Sequence, residues 1–314
     1  ASIGELPPLV GALEDSSTRL AGVAVRALGQ IGGELALDPL IKALQHKSPE
    51  VRGLAAHSLG SINSPKALPA LLTALSDDDD ATKAQAAWAL GRVGDVGTIP
   101  ALGALLGHDD KMVRLQAMEA LLSIGGSVVR KLFIEGLKDR SPQRRELCAQ
   151  GLGRLGAGQG MGALAQLLHD PYPSVRRQVV LALMVSGDKR AVGFLETVLQ
   201  DQDSSVRKSL VKAVAQRHPP GGLALLVNAV NDPDPDIRLE AVEGLGRAGA
   251  LEAVDPLLAL LESTESRLKV SAAKALGAIG EPRASGPLIN LLADNNPKVR
   301  AAATAAIQKI EGGW

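Results

Sequence analysis

A basic side chain recurs every 31 residues along most of this chain, with no insertion or deletion between one occurrence and the next. Counting back one further period reaches an alanine, the single member of the series that is not basic. The series is Ala21, Arg52, Lys83, Arg114, Arg145, Arg176, Arg207, Arg238, Lys269 and Arg300. A constant period of this length is typical of stacked structural units that share one continuous core. It favours an elongated array with a long partner-binding surface over a globule built around one catalytic pocket.

Each period has the pattern of two antiparallel helices. Before Arg52, the residues Ser48 and Pro49 form a helix start, and apolar residues then follow at helical spacing. Asn63, or Gly in most other periods, ends that helix, and a shorter helix follows with Leu71 and Leu75 on its apolar face. The residue equivalent to Leu59 is Leu, Val or Ile in every period, which predicts a buried row.

Ten such helix pairs are predicted, the first beginning near Glu5 and the last ending near Ile310. The predicted fold is all-α, a right-handed α-solenoid in which residues 1–314 form one array. Its ten two-helix repeats are expected to end near residues 32, 63, 94, 125, 156, 187, 218, 249, 280 and 311.

The repeated residues resemble the HEAT repeat. The matching pattern is D-x-x-P-x-V-R-x-x-A-x-x-A-L-G-x-I-G together with A-x-x-P-L-x-x-A-L, and it is most similar to the short repeats of phycobiliprotein lyases. The resemblance implies that an Asp six residues before each basic residue forms a hydrogen-bonded ladder along the stack. The implied pairs are Asp77/Lys83, Asp139/Arg145, Asp170/Arg176, Asp201/Arg207, Asp232/Arg238 and Asp294/Arg300, whereas His46, His108 and Ser263 replace the Asp in three repeats.

The composition limits the class of protein further. Hydrophobic residues make up 46% of the chain but aromatic residues only 2%, so the core must consist of Leu, Ala, Val and Ile. No apolar run approaches 18 residues and no signal peptide opens the chain, so we expect no membrane association. The single cysteine, Cys148, fits a reducing compartment and predicts a cytoplasmic protein. Because Cys148 stands where other repeats have Ala, it is predicted to be a core residue.

The second helix of each pair is expected to line the concave face of such a solenoid. With the basic residue as position zero, helical geometry predicts that positions one, two, five, eight and nine are exposed. Residues at these positions differ from repeat to repeat, as expected of a surface that presents different contacts along one extended partner. The predicted partner-binding residues, here called the predicted strip, are Arg26, His57, Trp88, Arg92, Glu119, Gln150, Arg154, Arg177, Leu181, Met184, Lys208, Lys212, Glu243 and Lys274.

Trp88 is the first candidate anchor on the predicted strip, because Trp is rare in this chain and exposed Trp is enriched in binding hot spots. The alternative is that its ring covers Leu54 or Leu115 of the adjacent repeats. Leu181 and Met184 are apolar companions, for which partial burial is the alternative.

Charge is unevenly distributed along the chain, although the formal net charge is zero. Residues 1–110 carry a net charge of −5, residues 111–217 a net charge of +8, and residues 218–314 a net charge of −3. The basic middle predicts a protein partner with an acidic segment, attracted toward repeats four to seven. The whole predicted strip is expected to bind its partner around repeats three to seven. The alternative is that many of these cations belong to the ladder. Nucleic acid is disfavoured because the chain is neutral and poor in stacking aromatics.

No pattern in the sequence predicts catalysis, a cofactor or a metal. None of the five histidines precedes Glu, whereas deoxyhypusine hydroxylase, a HEAT-like enzyme, holds iron through His-Glu steps. The predicted function is therefore a non-catalytic protein–protein interaction scaffold. Three alternatives stay open: a lyase or chaperone-like subunit acting on a chromoprotein, a nucleic-acid-binding HEAT-like protein, and an engineered HEAT-repeat scaffold.

Overall fold

The computed structural model describes residues 6–15 and 17–312, and every regular element within these residues is helical. Glu5, predicted as the start of the first helix, lies outside the described residues. The described part contains twenty α-helices, as ten pairs require. The shorter helices are α1 (Leu6–Leu13), α3 (Gly33–Ala43), α5 (Leu68–Ala74), α7 (Ile99–Ala104), α9 (Gly126–Gly136), α11 (Met161–Gln166), α13 (Ala191–Leu195), α15 (Gly222–Ala229), α17 (Val254–Ala259) and α19 (Ser285–Asn290).

The even-numbered helices are longer and carry the basic series. They are α2 (Thr18–Ile31), α4 (Pro49–Ile62), α6 (Asp80–Val93), α8 (Lys111–Ile124), α10 (Pro142–Arg154), α12 (Pro173–Val185), α14 (Ser204–Arg217), α16 (Pro235–Ala248), α18 (Ser266–Ile279) and α20 (Pro297–Glu311). Many of the shorter helices are flanked by 3₁₀ turns. The all-α prediction is confirmed.

The helices divide into two compact units, Ala1–Leu155 and Gly156–Trp314. Unit 1 contains α1 to α10, and within it α4 packs on α6 and α6 on α8. Unit 2 contains α11 to α20, and within it α16 packs on α18 and α18 on α20. Within each unit the long helices therefore stack on one another in sequence order, as in an α-solenoid. A single continuous array over the whole chain stays a prediction.

The helix ends follow the sequence signals. Asn63 (φ 58°, ψ 45°) and Gly94 (φ 74°, ψ 21°) adopt the left-handed conformation and accordingly end α4 and α6. His218 (φ 44°) has the same role after α14, where the usual Gly is missing. Ser48 is the N-cap residue of α4, but its hydroxyl makes no capping bond; Asp79 makes that bond for α6.

Successive long helices approach closely through small side chains. A Cβ on Gly91 of α6 would lie 2.5 Å from the Cα of Ala120 on α8, and a Cβ on Gly277 of α18 would lie 2.7 Å from the Cα of Ala306 on α20. These contacts join position eight of one long helix to position six of the next. Glycine at position eight therefore sets the distance between neighbouring helices.

The ladder joins consecutive repeats differently from the predicted pairs. Arg207 donates to both carboxylate oxygens of Asp232, 25 residues later, at 2.8 and 2.9 Å. It also donates at 2.7 Å to the backbone oxygen of Asp201, six residues earlier. Arg52 and Arg176 bind Asp77 and Asp201 in the same way. Asp201 and Asp232 thus each supply their carbonyl to the Arg six residues later and their carboxylate to the Arg of the preceding repeat. Asp139 differs, because its carboxylate lies 3.2 Å from Arg144 of its own repeat.

Repeats that lack the Asp keep its turn but change its ion pair. His46 and His108 accept the backbone N–H two residues later through Nδ1, at 3.0 and 3.1 Å, as the Asp carboxylate does elsewhere. Ser263 does so through Oγ, and Arg238 binds Glu265 at 2.5 Å instead. The predicted pair of Asp77 with Lys83 is wrong, because Arg52 binds Asp77.

Lys83 has other neighbours. Its Nζ lies 2.7 Å from Asp80 Oδ1 and 3.3 Å from His108 Nε2.

Candidate functional site

Positions five and nine of the long helices form an exposed ridge in each unit. The two positions are four residues apart and therefore lie on one face of a helix. All position-nine residues of the ten long helices are exposed, and so are all position-five residues except Trp88 and Gln150, which are half-buried. The exposed ridge comprises Arg26, Gln30, His57, Ser61, Trp88, Arg92, Glu119, Ser123, Gln150, Arg154, Leu181, Val185, Lys212, Gln216, Glu243, Arg247, Lys274, Ala278, Ala305 and Lys309.

The prediction that position eight is exposed is wrong. Met184 occupies that position and is 8% exposed, because position eight faces the next long helix. Met184 therefore belongs to the core and not to a binding surface. Positions one and two are mostly half-buried, but Arg177 and Lys208 of the predicted strip are exposed there.

Trp88 lies on the ridge and stacks on a neighbouring ring. Its indole is 4.5 Å from the His57 imidazole between centroids, and the planes differ by 10°. His57 Nδ1 lies 3.2 Å from Gln85 Oε1, which holds the imidazole beside α6. A Cβ on Gly60 would lie 2.7 Å from Cζ3 of Trp88, so glycine there makes room for the ring. The stacking partner of Trp88 is thus a ridge residue of the preceding long helix.

The two carboxylates of the ridge are both neutralised by ridge arginines. Arg154 binds both oxygens of Glu119 on the preceding long helix, with Nη2 at 3.0 Å from Oε2. Arg247 lies 3.8 Å from Glu243 and 3.1 Å from Glu240, both on its own helix. Neither carboxylate therefore presents an uncompensated negative charge.

The remaining cations of the ridge have no such partner. Within residues 6–15 and 17–312, no hydrogen-bonded or ion-pair partner occurs for the side chains of Arg26, Arg92, Lys212, Lys274 and Lys309. The ridge thus carries seven cations and two carboxylates in a chain of zero net charge. Unit 1 contributes Arg26 and Arg92, and unit 2 contributes the three lysines.

This surplus does not coincide with the basic middle of the sequence. Many cations of residues 111–217, such as Arg176 and Arg207, are bound within the ladder. Lys309 was missed by the sequence-based prediction, although counting nine residues from Arg300 would have found it.

The described residues also include one thiol and several side chains of the types that bind metals. Burial raises the pKa of the Cys148 thiol to about 12, so this side chain is held in its unreactive protonated form. Among the residues that the structure describes, no three His, Cys, Asp or Glu side chains are grouped as metal ligands would be. None of the described helices has both the length and the apolar character needed to cross a bilayer.

Stacked antiparallel helix pairs, with a variable ridge on one helix of each pair, define the class of α-solenoid repeat proteins. The family model of HEAT repeats matches residues 6–82, 68–153, 130–215 and 223–308. The chain therefore belongs to the HEAT-repeat family. No curated protein matches its sequence.

Solved structures share the fold at low sequence identity. Kap121p bound to Nup53p has a TM-score of 0.67 at 13% identity, over 98% of this chain and 42% of Kap121p. Kap121p bound to Ste12p has a TM-score of 0.67 at 14% identity, over 97% of this chain and 41% of Kap121p. The chain thus spans about two fifths of the length of Kap121p, and the likeness concerns the fold alone.

Proposed function

We propose that this protein is a non-catalytic scaffold that binds an acidic segment of a partner protein along the exposed ridge of each unit. The observation that carries the proposal is the set of five ridge cations that have no partner among the described residues, beside two carboxylates that are already paired. An acidic segment would gain charge-assisted hydrogen bonds from these cations without breaking an ion pair of the protein. It would also be attracted from a distance by the uncompensated positive charge.

The repeat spacing supports an extended partner. Neighbouring long helices pack about 8–10 Å apart, and an extended chain advances about 3.3 Å per residue. A carboxylate at about every third residue of the partner would therefore meet a new long helix. Position five varies from repeat to repeat, so each part of the partner would meet a different side chain.

Two further observations support this proposal. Kap121p, which shares the fold, has been crystallised bound to Nup53p, Ste12p and Pho4p. The lone and buried Cys148 fits a cytoplasmic location.

Nucleic acid is the competing anionic partner, and its bases would need aromatic side chains to stack on. Apart from His57, the ridge has one aromatic residue, Trp88, and its ring is already stacked on His57. The ridge therefore favours an acidic protein segment over nucleic acid.

A labelled peptide of alternating Glu and Ser tests the proposal by fluorescence anisotropy. We expect binding that weakens as salt rises, and at least about tenfold weaker binding by the K212E/K274E variant. The matched control is K138E/K189E, which reverses two exposed lysines outside the ridge. Equal losses in both variants, no binding of the peptide, or stronger binding of duplex DNA would contradict the proposal.

A further inference from the structure

The ridge carries one pair of aliphatic side chains larger than Ala, on α12 in unit 2. Leu181 and Val185 occupy positions five and nine and are 38% and 42% exposed. No other long helix carries aliphatic side chains larger than Ala at both positions. The exposed parts of two adjacent aliphatic side chains on an otherwise polar surface do not stabilise the fold. Their exposure therefore favours a role in binding a partner.

Leu181 and Val185 lie outside the fully buried core of α12. The opposite side of α12 already buries Val179, Val180 and Leu183, which are at most 1% exposed. The two exposed side chains point away from this buried row, as their helical spacing requires. Their exposure therefore follows from the register of the helix and not from a local packing fault.

The residues of the next long helix, α14, that correspond to Leu181 by register are polar. Elsewhere on the ridge, the contacts between neighbouring long helices join residues that are 28, 31 or 35 apart in the sequence. The examples are His57 with Gln85, His57 with Trp88, and Glu119 with Arg154, respectively. The same offsets from Leu181 lead to Ser209, Lys212 and Gln216 on α14. None of these three residues opposite Leu181 is aliphatic.

Two unpaired cations flank the apolar pair. Arg177 lies one turn before Leu181 on the same helix. Lys212 occupies on α14 the position that Leu181 occupies on α12. Both are exposed, and neither has an ion-pair partner within residues 6–15 and 17–312. A ligand that fits this arrangement combines carboxylates with an aliphatic or aromatic side chain.

We propose that Leu181 and Val185 form an apolar seat for a large hydrophobic side chain within an acidic protein segment, whose neighbouring carboxylates bind Arg177 and Lys212. This inference rests on the proposed function and specifies the partner more narrowly. The partner would carry Leu, Ile or Phe between acidic residues, and a purely acidic segment would bind more weakly.

The test compares two labelled peptides on the full chain. One alternates Glu and Ser, and the other is identical except that two adjacent Ser residues of the series become Leu. The variant L181Q/V185S replaces the seat with residue types already present at positions five and nine of other repeats, such as Gln150 and Ser123, so folding should be kept. The control I289Q/L292S changes two side chains of unit 2 that are 51% and 42% exposed but lie off the ridge.

We expect the Leu peptide to bind the unaltered protein at least about tenfold more tightly than the Ser peptide, as for the gain of a buried anchor. This preference should vanish in L181Q/V185S and persist in I289Q/L292S. Binding of the Ser peptide with no preference for Leu, or a preference that survives L181Q/V185S, would overturn the seat and leave the acidic-segment proposal standing. Failure of both peptides to bind would overturn both proposals.

Discussion

Arg207 and Asp232 join two consecutive repeats of unit 2 through a buried pair of parallel hydrogen bonds, at 2.8 and 2.9 Å. Their side chains are 10% and 2% exposed. Bidentate pairing of a guanidinium with a carboxylate is strong and directional, so this contact ties α14 to the turn that precedes α16.

Removing the charge of Asp232 should weaken this junction. We expect Asp232→Asn to lower the free energy of unfolding by about 2–3 kcal/mol, because the buried Arg207 then lacks its counter-ion. Urea unfolding followed by circular dichroism measures the change. Asp236→Asn is the matched control, since Asp236 is exposed and lies 3.6 Å from Lys208, and it should cost less than about 1 kcal/mol. Equal costs for the two variants would argue against a structural role for the ladder.

The ladder carboxylates should also make stability depend on acid pH. Burial alone would raise the pKa of Asp232, but hydrogen bonds from Arg207 and from the backbone N–H of Asp234 outweigh it and hold the pKa below 3.8. The hydrogen bond from Lys269 likewise lowers the pKa of Asp294. Because these pKa values are lower in the folded than in the unfolded state, their contribution is full above about pH 5 and is lost as the pH falls below 3.8.

Urea unfolding at pH 7, 5 and 3 tests this pH dependence. We expect similar stability at the two higher values and a clear loss at the lowest. Asp232→Asn should show a shallower loss, since one of the titrating groups is gone. Unchanged stability at the lowest pH would be inconsistent with these ion pairs.

Adding one methyl group should have opposite effects at two glycines. Gly91→Ala should destabilise by about 1–3 kcal/mol, because the new Cβ would lie 2.5 Å from the Cα of Ala120 and force α6 and α8 apart. Gly11→Ala, on α1, meets no atom within 4 Å and should stabilise by up to about 1 kcal/mol through helix propensity. Thermal unfolding of both variants gives the comparison, and a stabilised Gly91→Ala would refute the close approach.

Leu152 tests the alignment of the repeats. Leu152 is fully buried on α10, so Leu152→Ala should cost about 2–5 kcal/mol. Leu20 on α2 is 45% exposed, and Leu20→Ala should cost far less. Chemical denaturation of both proteins measures the difference, and stability like that of the unaltered protein for Leu152→Ala would speak against the predicted buried row.

Trp88 tests the ridge in unit 1. Trp88→Ala should weaken binding of the Glu–Ser peptide while helicity stays unchanged, with about 1 kcal/mol of stability lost with the His57 stack. Trp88→Phe keeps a ring in place and should retain part of the affinity. Unfolding of the array by Trp88→Ala would mean that the indole is a core residue and not a binding residue.

Much of the fold follows from the sequence because each signal acts within one helix or one turn. Leu59 and its equivalents are buried, except that Ile307 on the last helix is half-buried. Asn63 and Gly94 end their helices in the left-handed conformation, as the pattern predicts. Position eight was mispredicted because a single helix viewed alone presents it to solvent. Only the next long helix, approaching over glycine, buries Met184 there.

The site was less predictable, because it depends on which charges are already paired. The sequence shows Glu119, Arg154, Lys212 and Lys274 as equivalent candidates on the predicted strip. In the structure the first two neutralise each other, and the two lysines remain without a partner within residues 6–15 and 17–312. Pairing across helices requires knowledge of their relative rotation, which helical periodicity does not contain.

The amino-acid sequence by itself determined the repeat, its helix pairs, the buried rows and the variable positions, because period, capping and hydrophobicity are local properties of the chain. Only the tertiary structure decided that Arg207 reaches Asp232 rather than the carboxylate of Asp201, and that Trp88 stacks on His57. It also decided that five ridge cations have no partner in the described part of the chain. These contacts depend on the rotation and separation of successive helices, which the ladder and the close approach at glycine fix together.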